Sequence, residues 1–295
     1  MDYRLRIVGH FPPNMHLDSS RFSVDMFSLF LFQAFTELGV PTIATDIKRQ
    51  LNVQELRDNP TDVILAHTYH DSYTLTVAPI LAQCMNTFRL TASFMEVALH
   101  PVDVPFVFFP AHPQGVVIPA PFYAELMPVV SKIPKTVLLD HDWGGKWDWT
   151  ADILKTLAPL TGKFDISRID GTGKIANPPG IKRLPHHNFH GYIKATESVE
   201  TFIVTHAGSY NATVIDMLSR GTRVLSPIGH LPEYNLKRFG IPTFSDMKGL
   251  TDLLETPYDE KVWGGKRALC TDIRNAVRKM DSIFKERLGT CQTKN

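Results

Sequence analysis

Thr201-Phe202-Ile203-Val204-Thr205-His206-Ala207-Gly208-Ser209-Tyr210-Asn211 joins a run of β-branched and aromatic residues to a glycine and then to a helical pattern. A short run of that kind reads as a buried strand. Gly208 lets the backbone approach a ligand closely, and Ser209 carries the side chain of an N-cap. A helix is predicted from near Tyr210 to Gly221, a strand over 223–226, and a further helix over 232–239. Strand, tight polar turn, helix, strand is the repeating unit of a parallel α/β sheet. The free N–H groups at the helix start, together with the helix dipole, favour a phosphate there. His206 can donate a hydrogen bond to that phosphate. Asp216, two turns into the helix, supplies a carboxylate for a ribose diol.

The same rhythm extends upstream and downstream. Residues 4–8 read as a buried strand ending at Gly9, followed by a loop over 10–17. Asp18-Ser19-Ser20 offer N-cap oxygens. Phe22, Met26, Leu29, Phe30 and Ala34 then recur on one helical face until Gly39 closes the helix. Strands follow over 41–44 and 62–66. Residues 104–109 form another apolar run that leads into a proline-rich segment over 110–121. Residues 128–135 read as the link between two halves. Beyond it, strands are predicted over 136–139, 164–168, 181–184 and 241–244. Helices are predicted over 150–157, 191–197, 248–255 and 264–287. Two consecutive units of this kind predict an α/β protein of two Rossmann-like domains facing a cleft, residues 1–134 and 135–295. Ligands of such sheets bind beyond the carboxyl ends of the strands. The loops after Val8, Ala66, Leu139, Thr205 and Ser226 are therefore the ones that matter.

Composition narrows the classes. The 295 residues suffice for two domains. With 31 Lys and Arg against 30 Asp and Glu, the net charge of +1 gives no global signature of nucleic-acid or membrane binding. Cys84, Cys270 and Cys291 are odd in number and far apart, which fits neither a disulfide framework nor a zinc pattern and points to a reducing compartment. Met1-Asp2-Tyr3-Arg4 runs directly into a short apolar strand, without the longer apolar stretch of a secretory leader. No window approaches a membrane span. The expectation is a cytoplasmic protein.

Several polar clusters lie on the ligand side. The loop after the first strand holds His10 and His16, with Asp18 two residues beyond His16. A histidine there can take a proton from an acceptor hydroxyl near neutral pH, and Asp18 or Asp71 can orient it. His70 and Asp71, in the cluster after the third strand, are candidates to line an acceptor pocket. Asp140-His141-Asp142-Trp143-Gly144-Gly145 offers close backbone approach at Gly144 and Gly145, or simply a polar turn. Trp147 and Trp149 present an aromatic surface to a sugar or belong to the core. No helical histidine spacing typical of a metal hydrolase is present, and no metal site is expected.

The stretch from Ser198-Val199-Glu200 through Tyr210-Asn211 resembles the donor motif of UDP-glycosyltransferases with the GT-B fold. That motif reads Val-x-x-Phe-(Val/Leu)-Thr-His-x-Gly-Trp-Asn-Ser, with a Glu five residues before a Gly-(Val)-Pro. Tyr210-Asn211 stands where Trp-Asn is expected, with one residue inserted. Asp216 stands at the position of the ribose-binding Glu, five residues before Gly221. Pro227 and Asn235 keep the spacing of the family's later Pro and Asn. Leu231 and Pro232 replace the Asp-Gln that holds sugar hydroxyls in the family, and Glu233 is the nearest carboxylate to stand in for it.

The resemblance implies a metal-independent, hexosyltransferase-like enzyme that uses a UDP-sugar as co-substrate and no cofactor. His206, Gly208, Ser209, Tyr210, Asn211, Asp216, Glu233, Asn235, Gly144 and Gly145 would hold the donor. His16 with Asp18 would serve as the base, and His10, His70 and Asp71 would line the acceptor side. The acceptor is a small molecule or, as in small viral-type enzymes, a modified DNA base, which the near-neutral charge does not favour. Two competitors remain: a sugar-nucleotide epimerase of GT-B architecture, and a non-catalytic nucleotide-binding module.

Overall fold

Short apolar strands alternate with helices along most of the chain. The computed structural model describes residues 2–19, 23–47, 53–58, 61–67, 86–91, 104–107, 116–118, 121–140, 149–169, 175–185, 188–205 and 212–292. The strands are β1 (Leu5–Gly9), β2 (Thr42–Asp46), β3 (Val63–His67), β4 (Thr87–Thr91), β5 (Val104–Val107), β6 (Val116–Val117), β7 (Pro121–Phe122), β8 (Ile133–Leu139), β9 (Asp165–Ile169), β10 (Lys182–Leu184), β11 (Val199–Ile203), β12 (Arg223–Pro227), β13 (Thr243–Phe244) and β14 (Thr271–Asp272). The α-helices among the described residues are α1 (Ser23–Glu37), α2 (Val53–Asp58), α3 (Thr150–Leu157), α4 (Phe189–Thr196), α5 (Ala212–Ser219), α6 (Glu233–Phe239), α7 (Met247–Glu255), α8 (Glu260–Gly264) and α9 (Ile273–Gln292).

The chain divides into two compact units. Met1–Tyr123 with Thr271–Asn295 form the first, and Ala124–Cys270 form the second. The sequence places the break at 134/135 and assigns the C-terminus to the second half. In the structure α9 belongs to the first unit, because its apolar face is part of that core. Phe284 is fully buried and packs its ring against Phe35, Phe88 and Phe106. The Tyr3 hydroxyl donates to Asp281 at 2.9 Å. Residues 264–287 are also not one helix. A 3-10 turn and β14 interrupt them, and α9 starts only after Asp272, whose Oδ1 accepts from the Arg274 N–H at 2.8 Å.

The first unit carries a six-stranded parallel sheet in the order β2-β1-β3-β4-β5-β6, and β7 pairs with β14. All of β1 and β3 is buried, as strands covered on both faces should be. Gly39 closes the turn after α1 in the left-handed conformation, φ +85°, where glycine carries no steric cost. The expected cap at Asp18 is not where α1 begins. Leu17–Ser19 form a 3-10 turn and the helix starts at Ser23.

The second unit repeats the architecture with a different order, β10-β9-β8-β11-β12-β13, again parallel. One face of this sheet packs Val137, Leu139, Ile166, Ile203 and Leu225 against Ile153, Leu154 and Leu157 of α3 and Leu250 and Leu254 of α7. Among the described residues no helix is long and apolar enough to cross a membrane.

Candidate functional site

The strand order of each sheet locates its ligand side. In an open parallel sheet, the crevice forms where successive connections leave a strand pair in opposite directions. In the second unit the chain runs from β8 outward to β9 and β10, then returns to β11 and continues to β12 and β13. The switch point is therefore between β8 and β11. These strands lead directly into the two loops singled out in the sequence, after Leu139 and after Thr205. In the first unit the chain runs from β1 to β2 on one side and then to β3 on the other, which puts the switch point between β1 and β3.

At the β8/β11 switch point the strand ends are tightly fixed. The Asp140 N–H donates to the Ile203 carbonyl at 3.1 Å, and Asp140 is fully buried. The Val204 N–H donates to Leu225 at 2.9 Å, and the Thr205 carbonyl accepts from the Trp149 N–H at 2.8 Å. The Trp149 ring meets His230 and Phe244 edge to face, at centroid distances of 5.4 and 6.2 Å. It also lines a cavity of about 530 Å³ with Asp152, Lys155, Thr156, Asp246 and Met247. Trp149 is therefore packed on two sides and open on another, and Trp147 lies outside the described residues. His206, Gly208, Ser209, Tyr210 and Asn211 lie outside the described residues, as do Gly144 and Gly145. The helix they lead into, α5, begins at Ala212.

Asp216 is placed differently from the sequence expectation of a carboxylate presented to a ribose. It is 8% exposed. Its Oδ2 accepts from the Tyr192 hydroxyl at 2.8 Å and from the Arg220 guanidinium at 2.5 Å. Arg220, fully buried, also donates to Thr196 Oγ1 at 2.8 Å. The carboxylate thus ties α5 to α4. Its other oxygen, Oδ1, is buried and meets no hydrogen-bond donor among the described residues. Burial pushes the Asp216 carboxyl up from its ordinary value, and the Arg220 guanidinium pulls it back. Nearby, burial brings the Lys132 ammonium down to about 8, with the Arg220 charge adding to the effect.

The loop after β12 turns through Gly229, φ +78°, into α6. Glu233 stands exposed in the first turn of that helix and pairs with Lys237 at 2.7 Å, which holds its carboxyl below the usual range. Asn235 is buried, and its N–H donates to the Pro232 carbonyl at 2.9 Å.

The first unit gathers imidazoles at its switch point. His10, immediately after β1, is buried at 7% exposure, and His67, the last residue of β3, is buried at 8%. The His67 ring lies 4.8 Å from that of Phe27, and its Nδ1 is 2.9 Å from Ser28 Oγ on α1. The Ser28–His67 pair was not foreseen in the sequence, where 39 residues separate the two. His16 is exposed, in a turn where Asn14 and Met15 adopt positive φ. Its Nδ1 accepts from the Asp18 backbone N–H at 3.3 Å. The contact is with the main chain of Asp18 and not with its carboxylate. His70 and Asp71 lie outside the described residues. Among the described residues no group of three or more His, Cys, Asp or Glu is placed to hold a metal ion.

No family model matches the sequence, and no curated protein matches it. Solved structures do resemble the fold over almost the whole chain. A glycosyltransferase from Rickettsia africae superposes with a TM-score of 0.69 at 10% identity, covering 97% of this chain and 99% of that one. Sucrose-phosphate synthase from Thermosynechococcus elongatus gives 0.68 at 11% identity, with 97% and 99% covered. Anabaena HepE, solved in complex with UDP-glucose, gives 0.65 at 7% identity, with 98% and 100% covered. The chain has the GT-B fold of these glycosyltransferases.

Proposed function

We propose that this protein is a glycosyltransferase that moves a sugar from a UDP-sugar to an acceptor hydroxyl. The observation that carries the reading is the β8/β11 switch point. It falls between the two strands whose following loops have the glycines, and the helix start, that a diphosphate requires. Binding of UDP-glucose by a structural neighbour supports the choice of nucleotide.

In this reading His206 and the N–H groups of Gly208, Ser209, Tyr210 and Asn211 take the diphosphate, with Gly144 and Gly145 approaching it from the other loop. Stabilising the negative charge that grows on the leaving diphosphate is the main catalytic contribution of this unit, together with positioning. No metal is assigned to that task. Asp216 retains a ribose contact only through Oδ1, since Oδ2 is engaged by Tyr192 and Arg220. Glu233 and Asn235 belong to the segment that reads the sugar. On the acceptor side, a histidine of the first unit takes the hydroxyl proton. His10, His16 and His67 are the described histidines at or just beyond the ends of β1 and β3.

Titration calorimetry with UDP, TDP, GDP and ADP tests the reading. UDP is expected to bind most tightly, and His206→Ala to weaken it by about tenfold to a hundredfold, the worth of one hydrogen bond to a charged group. Absence of binding by any of the four, or equal binding by the variant, would remove it.

A further inference from the structure

The cavity beside Trp149 lies wholly within the second unit, and none of its residues is among the diphosphate contacts proposed above. It runs between two helices that both start at the ligand-binding end of the sheet. From α3 it takes Trp149, at the N-cap, and Asp152, Lys155 and Thr156 along one flank. From α7 it takes Asp246, at the N-cap, and Met247. Thr156 lies seven residues after Trp149, about 10 Å along the helix axis. The volume of about 530 Å³ is ordinary for a small-molecule site, about 300–1,000 Å³. Its wall is apolar where the half-buried Trp149 and Met247 pack on the core. Its rim is polar. The Asp246 carboxylate is fixed, since the Gly249 N–H donates to Oδ1 at 2.7 Å. The Thr156 hydroxyl donates to the Asp152 carbonyl at 2.9 Å, which leaves its oxygen as an acceptor. The Asp152 and Lys155 side chains are exposed, three residues apart on α3.

We propose that this cavity binds a neutral saccharide, in addition to any nucleotide held at the switch point. A pyranose ring combines an apolar face of C–H groups with a periphery of hydroxyls that both donate and accept. Indole and thioether surface suits the face. The two carboxylates and Thr156 Oγ1 accept from hydroxyls, and the Lys155 ammonium donates to them. Trp149 is the anchor. His230 and Phe244 already hold its ring on two sides, so little freedom is lost when a ligand meets it. Other occupants fit less well. A phosphate would meet Asp152 and Asp246 with only Lys155 to offset them. A small cation would leave most of the volume unfilled. A wholly apolar ligand would cover the polar rim without pairing it.

Saturation-transfer NMR and titration calorimetry on the full chain test the site with maltotriose, cellotriose and triacetylchitotriose. At least one is expected to bind with a Kd of about 1 mM, as suits an open site whose rim exchanges water for hydroxyls. Binding should persist in saturating UDP. Asp152→Ala combined with Lys155→Ala removes two exposed side chains at small structural cost. The double variant should bind the saccharide about tenfold more weakly, with UDP affinity within about twofold of wild type. Trp149→Ala should abolish saccharide binding. If that variant does not fold, because Trp149 also packs on Phe244, the double variant decides. The assignment is overturned if none of the three saccharides binds up to about 20 mM. Equal binding by the double variant, or displacement of the saccharide by UDP, also overturns it. Wild-type protein that binds a trisaccharide but none of the four nucleoside diphosphates keeps the saccharide site and removes the transfer reading.

Discussion

The two sheets use the same parallel architecture and put different chemistry at their switch points. In the first unit the strand ends carry imidazoles, His10 and His67, and the nearest helix supplies Ser28 to fix one of them. In the second unit the strand ends carry a buried Asp140 and lead into glycine-containing loops, while Asp216 of α5 and Arg220 just after it lie within the protein as an ion pair. The first carries side-chain imidazoles at its strand ends, and under the proposed function the second holds an anion with backbone N–H groups. Both units also bury polar side chains: the His67 imidazole lies beside the Ser28 hydroxyl, and Asp216 is matched by the Arg220 charge.

The largest effect expected from breaking this contrast is in the second unit. Arg220→Met removes the guanidinium that faces Asp216 and leaves the carboxylate with Tyr192 as its hydrogen-bond partner. Removing one partner of a buried ion pair costs about 3–5 kcal/mol, and the urea midpoint should fall accordingly. The folded-state value for Asp216 is raised by burial, so the folded protein holds that proton more tightly than the unfolded chain does. The penalty is absent below the unfolded carboxylate value of about 4 and grows as the pH rises through the folded value. Without Arg220 the folded value rises further. The gap between variant and wild type is therefore expected to be wide at neutral pH and to narrow on acidification. A gap independent of pH would mean that Arg220 acts through packing and its bond to Thr196.

A smaller loss is expected from Gly9→Ala in the first unit. The added methyl meets a backbone carbonyl as well as the Ser28 side chain, so a rotamer change alone does not relieve it. Overpacking of this kind costs about 1–3 kcal/mol. The clash falls on both members of the Ser28–His67 pair, so Tm should fall, while UDP affinity, which the proposed function assigns to the second unit, should be unchanged. A variant with the wild-type Tm would show that α1 and the strand ends move apart at little cost.

The sequence made the alternation of elements visible, because buried parallel strands are runs of apolar and β-branched residues and need no partner to be recognised. β1, β2, β3 and β12 lie within one or two residues of their predicted bounds. β4 was missed: Thr87-Phe88-Arg89-Leu90-Thr91 has polar residues at alternate positions and no flanking glycine or proline. The break before α9 was missed because Asp272 sits inside an otherwise helical pattern. Strand order was not legible, since it depends on which face each connecting helix takes. For that reason the switch points came only from the structure, although the cluster that begins at His67 after the third strand is legible in the sequence as lying on the ligand side. Asp216 shows the converse. Its spacing to Gly221 gave it a ligand-binding role, but its orientation is set by Tyr192 and Arg220, and Tyr192 lies 24 residues upstream on another helix.

The smallest effect is expected at Glu233, and it tests whether the second unit reads its sugar through a surface carboxylate at all. The residue is the nearest carboxylate to Leu231 and Pro232, which stand where the resembling family has the Asp-Gln that holds sugar hydroxyls. Its side chain is exposed, though, and is paired with Lys237 one turn along α6. A pair of that kind is screened by solvent and contributes little, so Glu233→Gln should leave thermal stability at the wild-type value. UDP affinity should also be unchanged, because no part of the nucleotide is assigned to this helix turn. UDP-glucose is the informative ligand. An exposed carboxylate that exchanges water for a sugar hydroxyl gains little, and the expected weakening is under about threefold. A loss above about tenfold, confined to UDP-glucose and absent for UDP, would instead put Glu233 on the sugar. The second unit would then share with the first the use of a fixed side chain at its ligand-binding end, beyond the backbone groups that hold the anion.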